Sequence, residues 1–307
     1  MTEFSPVFAE RAKTTKKPLR KRLTRAAGWA GFVGGGLVTP RLAAKTAAKL
    51  WCKLPQNAGR RKDNRPQPGE IVHQDVGLLS PLAVETWGDP AGRLVYLVHG
   101  WGGWRGQVAS FVTPLVADGF RVIAFDCLSH GDSGPGEHGK AYSSGGEMIT
   151  SLEAVVAHYG QPFGIIAHSL GCANVCRAIL DGKLTVERLT LVSPSPDMRL
   201  VAANFAKSLG FGKRATRMLT EEMEQWAHRR MGDFDIADMG RTGRLPGDAL
   251  LIHDAVDKES PYAVSLGINA AWAGTKLMTT EGLGHHRILI DPEVVAAAVA
   301  NLSLSTW

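Results

Sequence analysis

From Glu70 to the C-terminus the chain alternates short apolar runs with helix-length segments, and this rhythm constrains the fold more than any other feature of its 307 residues. Runs rich in Val, Ile, Leu and Phe near residues 70–77, 82–87, 93–99, 120–126, 162–168, 188–193, 248–253 and 275–280 predict eight strands. The stretches between them predict helices over about 106–118, 146–159, 170–181, 263–272 and 292–302. Such alternation points to an α/β fold, a mostly parallel eight-stranded sheet with helices on both faces, because each parallel crossover needs a returning helix. Residues Pro194 to Gly247 interrupt it. They are too many for a bare loop and helical in composition, which predicts an inserted helical lid over about residues 195–247.

One strand of the series, Phe163 to His168, runs straight into Ser169-Leu170-Gly171 and a helix. A serine on so sharp a strand-to-helix turn needs small residues two before and two after it, where strand and helix nearly touch. Ala167 and Gly171 meet that need. A-x-S-x-G is a short pattern in an Ala- and Gly-rich chain, so its strand-turn-helix setting carries the information.

Here the sequence resembles the α/β-hydrolase superfamily, in particular bacterial serine hydrolases with one core domain and a small helical lid. The resemblance covers about residues 82–303 and rests on four motifs in the expected order. Val98-His99-Gly100-Trp101-Gly102-Gly103 is similar to the family's oxyanion loop, and Phe125 to Ser133 to its turn after the fourth strand. The third motif is the Ser169 elbow. Asp254 to Pro261 is similar to the acid loop, where the carboxylate precedes a proline by four residues. That selects Asp257, with Asp254 as second choice and more simply a turn residue. Glu281 to Arg287 resembles the histidine loop, and its Gly-His step selects His285 over His286.

The resemblance implies a catalytic triad of Ser169, Asp257 and His285, with the backbone N–H groups of Trp101 and Leu170 as an oxyanion hole. The expected activity is a serine hydrolase cleaving a carboxylic ester or thioester through an acyl-enzyme. Acyl transfer and C–C bond hydrolysis run on the same triad, and a non-catalytic membrane-associated protein of this fold is the alternative outside enzymology. Gly100-Trp101-Gly102 with Asp126 also imitates a dinucleotide fingerprint, but tryptophan stands where a pyrophosphate needs bare backbone. No cofactor is expected. Nor is a metal, since the ten histidines and four cysteines show no ligand spacing, and the cysteines read as reduced core residues.

Charge divides the chain at residue 69. Residues 1–69, a basic N-terminal extension with a helix and linker, carry 16 Lys and Arg against Glu3, Glu10 and Asp63, while residues 70–307, the expected catalytic domain, are net acidic. A basic leader on an acidic body argues against a nucleic-acid partner, and a small-molecule acyl substrate is the ligand that the resemblance implies. In residues 41–54 Arg41, Lys45, Lys49 and Lys53 recur every fourth residue and stack along one helical face. Packing on the main domain is the expectation for this helix. Adsorption to an anionic membrane surface and a secretory signal are the alternatives. No apolar run is long enough to span a bilayer, and a cytoplasmic place, peripheral at most to the inner face of a membrane, is expected.

Overall fold

The computed structural model describes residues 39–55 and 63–303. Eight strands, β1 (Glu70–Gln74), β2 (Leu82–Trp87), β3 (Arg93–Val98), β4 (Phe120–Phe125), β5 (Gly164–His168), β6 (Arg188–Val192), β7 (Ala249–Asp254) and β8 (Thr275–Thr280), form one sheet in the order β1-β2-β4-β3-β5-β6-β7-β8. Only the β1–β2 and β2–β4 pairings are antiparallel. The parallel centre, β5 and β6, is buried along its whole length, as a sheet covered on both faces requires.

The described residues form ten α-helices in chain order: α1 (Pro40–Trp51), α2 (Val112–Ala117), α3 (Gly145–Tyr159), α4 (Leu170–Leu180), α5 (Met198–Ser208), α6 (Lys213–Ala227), α7 (Ile236–Arg241), α8 (Ala263–Ala271), α9 (Gly284–Arg287) and α10 (Pro292–Ser303). Helix α3 starts at a capping serine, Ser144, whose hydroxyl accepts from the Glu147 N–H. Two apolar layers flank the sheet. Met148, Leu152, Val175 and Ile268 pack in one, and Phe111, Leu115, Ile288 and Val299 in the other.

The helix expected over 106–118 is instead a 3-10 turn, Arg105–Phe111, followed by the short α2. Pro114 explains the break, because a residue without an N–H belongs in the first turn of an α-helix and the helix must restart just before it. Arg105 holds the start of that turn: its side chain bonds Glu85 at 2.9 Å, Asp132 at 2.9 Å and Asp126 at 2.5 Å. Glu85 is fully buried and also takes Arg65 and the Gly69 N–H, so residues just before β1 are fastened to the sheet. Removing Arg105 would strand buried carboxylates. Arg105→Met is expected to cost about 3–5 kcal/mol of stability, read by urea unfolding; a loss under about 1 kcal/mol would mean that these carboxylates protonate or find water instead.

Between β6 and β7 lie α5, α6 and α7, so the segment expected to be helical is so. Helix α1 packs on this insertion through Ala44, Ala47 and Ala48, against Ala202 and Ala206 of α5 and Leu219 and Met223 of α6. Small side chains let the helices approach closely. The basic row is shorter than the sequence suggested, because the helix ends at Trp51 and Lys53 pairs instead with Tyr142 in an antiparallel bridge. Backbone bonds Leu54 N–H to Ala141 O and Ser143 N–H to Cys52 O fix that exit. Residues before Thr39, on which the secretory-signal alternative rests, lie outside the described residues.

Candidate active site

Ser169 follows the last residue of β5 and is the N-cap of α4. A serine there ordinarily bonds its own helix's N–H groups, but this one makes no side-chain cap and its Oγ lies 3.0 Å from His285 Nε2. Its backbone is at φ +53°, ψ −123°, a left-hand-side conformation that a non-glycine residue adopts at a cost of about 1–3 kcal/mol. The surroundings impose it. A Cβ on Gly100 would come within 2.8 Å of Ser169 Cβ, and one on Gly171 within 2.6 Å of the His99 carbonyl, so both glycines let the oxyanion-type loop and the elbow touch.

His285 comes from the first turn of α9, after β8, and its Nδ1–H donates to Asp257 Oδ2 at 2.7 Å. Asp257 sits in the loop after β7. Its Oδ1 accepts from the N–H groups of Glu259 and Ser260 at 2.8 and 3.0 Å. Burial works against the charge on Asp257, but hydrogen bonds from His253, His285 and those two N–H groups outweigh it and hold the carboxyl well below the usual carboxylate range. The three residues selected from the sequence thus form one hydrogen-bonded line across the C-terminal ends of β5, β7 and β8.

Asp254, the second choice, lies elsewhere. It accepts from Val256 N–H with one oxygen, and from Thr280 Oγ1 and Leu283 N–H with the other, which ties the acid loop to the histidine loop. It touches neither His285 nor Ser169. Trp101 follows Gly100 after β3, packs edge-on to His130 at 5.6 Å and faces the same cavity as Ser169. Among the described residues no backbone carbonyl accepts from the Trp101 or Leu170 N–H, which leaves both donors available.

Four neighbours, His253, His168, Trp51 and Cys52, take places at the site that the sequence reading did not give them. His253, near the end of β7, donates its Nε2–H to the Ser260 carbonyl at 2.9 Å, with the same nitrogen 3.5 Å from Asp257 Oδ2. His168 donates Nε2–H to the His285 carbonyl at 2.9 Å; burial holds its ring neutral, with nearby His285 adding to the effect. Trp51 and Cys52, from the end of α1, line the cavity beside Ser169. His168, Trp51 and Cys52 meet groups distant in sequence, and His253 reaches Asp257 and Ser260 only through the fold of the loop after β7.

The cavity measures about 370 Å³. Met198, Val201, Met223, Met231 and Phe234 of the inserted segment give it an apolar wall, with Ser169, His285, Trp101 and Leu170 at one side. That is the size and character of a small-molecule pocket, roughly 300–1,000 Å³ and mostly apolar with a few convergent polar groups. All four cysteines are free and buried, and burial pushes the Cys52 thiol up to about 12, which leaves it inert beside the serine.

Among the described residues no helix is long and apolar enough to cross a membrane. Comparison with solved structures finds Est1E of Butyrivibrio proteoclasticus with bound ferulic acid at a TM-score of 0.59 and 17% identity, covering 77% of this chain and 100% of that one. The thioesterase domain of the curacin biosynthetic pathway gives a TM-score of 0.56 at 18% identity, covering 78% and 100%. At such identities the likeness is one of fold. Among curated proteins, the dihydrolipoyllysine-residue acetyltransferase component of the acetoin cleaving system of Cupriavidus necator is 26% identical over 182 residues, 56% of this chain. The chain spans 43% of that relative's length. Residues 95–298 match the model of the alpha/beta hydrolase family, two thirds of the sequence and every strand from β4 to β8, and the chain belongs to that family.

Proposed function

We propose that this hydrolase cleaves a carboxylic ester or thioester through an acyl-enzyme on Ser169. The observation that carries the reading is the line Ser169 Oγ, His285, Asp257, at 3.0 and 2.7 Å, set against an apolar cavity with two uncommitted N–H donors. His285 Nε2 takes the Ser169 proton as Oγ attacks the carbonyl carbon, while Asp257 holds the tautomer with Nδ1 protonated and stabilises the imidazolium. The Trp101 and Leu170 N–H groups receive the oxyanion, each worth roughly 3 kcal/mol in the transition state. Collapse breaks the bond to the alcohol or thiol, which leaves with the proton from His285. Water then attacks the ester on Ser169, giving its proton to His285, and releases the acid.

The strain at Ser169 belongs to this reading. It keeps Oγ off the helix end and on the imidazole, so the nucleophile is aligned before substrate arrives. The apolar wall supplied by α5 and α6 favours an acyl chain over a charged group. Acyl transfer to a hydroxyl or thiol is the second reading, favoured by the Cupriavidus relative's name, and differs only in what attacks the acyl-enzyme.

The test is a panel of chromogenic esters and thioesters of rising chain length on wild type and Ser169→Ala, joined to peptide mapping after fluorophosphonate treatment. Turnover lost in the variant and a single adduct on Ser169 are expected. An adduct elsewhere, or turnover that survives the substitution, would overturn the assignment. Added glycerol or a small thiol that captures the acyl group at the expense of free acid would mark a transferase.

A further inference from the structure

Packing and membrane adsorption of the N-terminal helix stood as alternatives in the sequence, yet the structure assigns them to different faces. Ala43, Ala44, Ala47 and Ala48 turn inward and are buried. Arg41, Leu42, Lys45, Thr46, Lys49 and Leu50 turn outward and are exposed, Leu42 at 64% and Leu50 at 49%. No acidic residue stands anywhere in α1. Among the described residues Arg41, Lys45 and Lys49 meet no carboxylate, and Lys49 lies over the Tyr142 ring at 5.3 Å. Two bare leucines two turns apart beside a row of unneutralised cations are the chemistry of an interfacial helix, where cations meet lipid phosphates and leucines enter the acyl boundary.

The end of the same helix reaches the active-site cavity. Trp51 packs on Phe205 of α5 at 5.3 Å between ring centres and lines the chamber next to Ser169. We propose that the outer face of α1 docks this protein on an anionic lipid surface and so holds the acyl chamber that Trp51 walls at the place where its substrates, acyl esters of lipids, are found. The substrate half of this proposal rests on the Ser169 reading above; the docking half does not.

Full-length protein is mixed with phosphatidylcholine vesicles with or without phosphatidylglycerol and sedimented as salt is raised. Binding to the anionic vesicles alone is expected, with release as the Debye length shrinks to a few ångströms near 1 M salt. Leu42→Ser/Leu50→Ser and Arg41→Glu/Lys45→Glu should each weaken binding by on the order of tenfold or more, with the turnover of a short soluble ester and the thermal unfolding unchanged. Ser169→Ala should bind as wild type does, so a failed triad and a failed docking surface give different results. Because the native cysteines are all buried, Leu42→Cys can be labelled selectively with an environment-sensitive dye. Its emission should shift to the blue on anionic vesicles, and the same dye on Glu187→Cys, exposed just before β6 at the opposite end of the sheet, should not respond. Absence of binding by wild type, binding undiminished in both double variants, or a bound protein whose dye at position 42 stays in water would each overturn the proposal. The second of these would place the contact in the other basic residues of the leader.

Discussion

His285→Ala is expected to lower kcat on the best ester of the panel by about a millionfold, and Ser169→Ala by a similar factor, while the double variant is no slower than either. The equality follows from the geometry. With Oγ 3.0 Å from Nε2, nucleophile and base are two parts of one proton transfer, and losing either removes the whole attack. What survives should be the modest rate from binding and the two N–H donors, roughly 10³–10⁴ above water. Steady-state kinetics at saturating substrate decides it. A drop of only about tenfold for His285→Ala would show that another base serves Ser169, and additive losses in the double variant would show that the two residues act separately.

Asp257→Asn is the second large effect, with kcat down by about 10⁴-fold and KM little changed. The amide would offer His285 Nδ1 a donor or a weaker acceptor, favouring the wrong tautomer and withdrawing the countercharge. Asp254→Asn, one turn of loop away, should leave the chemical step within about tenfold, because its bonds reach Val256, Thr280 and Leu283 and no reacting atom. Its cost should appear in thermal unfolding, since it ties two loops together. Reversed results for the two variants would move the acid to Asp254.

The core of the fold was legible because each strand of the parallel sheet is a short apolar run between turn residues, and all eight strands lie within a few residues of their expected places. The elbow was legible for a steric reason that the structure repeats at position 171, where a Cβ would come within 2.6 Å of the His99 carbonyl. Choosing Asp257 over Asp254 depended on the resemblance to a known acid loop, since nothing in composition separates two aspartates three residues apart. Where the reading fell short, the cause was distance along the chain. The 3-10 turn at Arg105 answers to Glu85, Asp126 and Asp132, each at least 20 residues away along the chain, so no local window around residue 105 contains any of them. His168 acts on His285, brought near only by the sheet order, and His253 acts on Asp257 and Ser260 through the path of the loop after β7. Lys53 fitted the i,i+4 row perfectly and still left it, because Tyr142 offered backbone pairing that a periodicity cannot anticipate.

The seat of α1 also sets an order of assembly. A helix of 12 residues is marginal alone in water, and this one buries its alanines only against α5 and α6, whose last residue is Ala227. It is synthesised before both of them and must wait for Ala227, 176 residues after Trp51, before it has all that it leans on. The chamber therefore gains the wall that contains Trp51 only after the insertion is complete, so a helix made before the whole sheet supplies one of the last contacts to form.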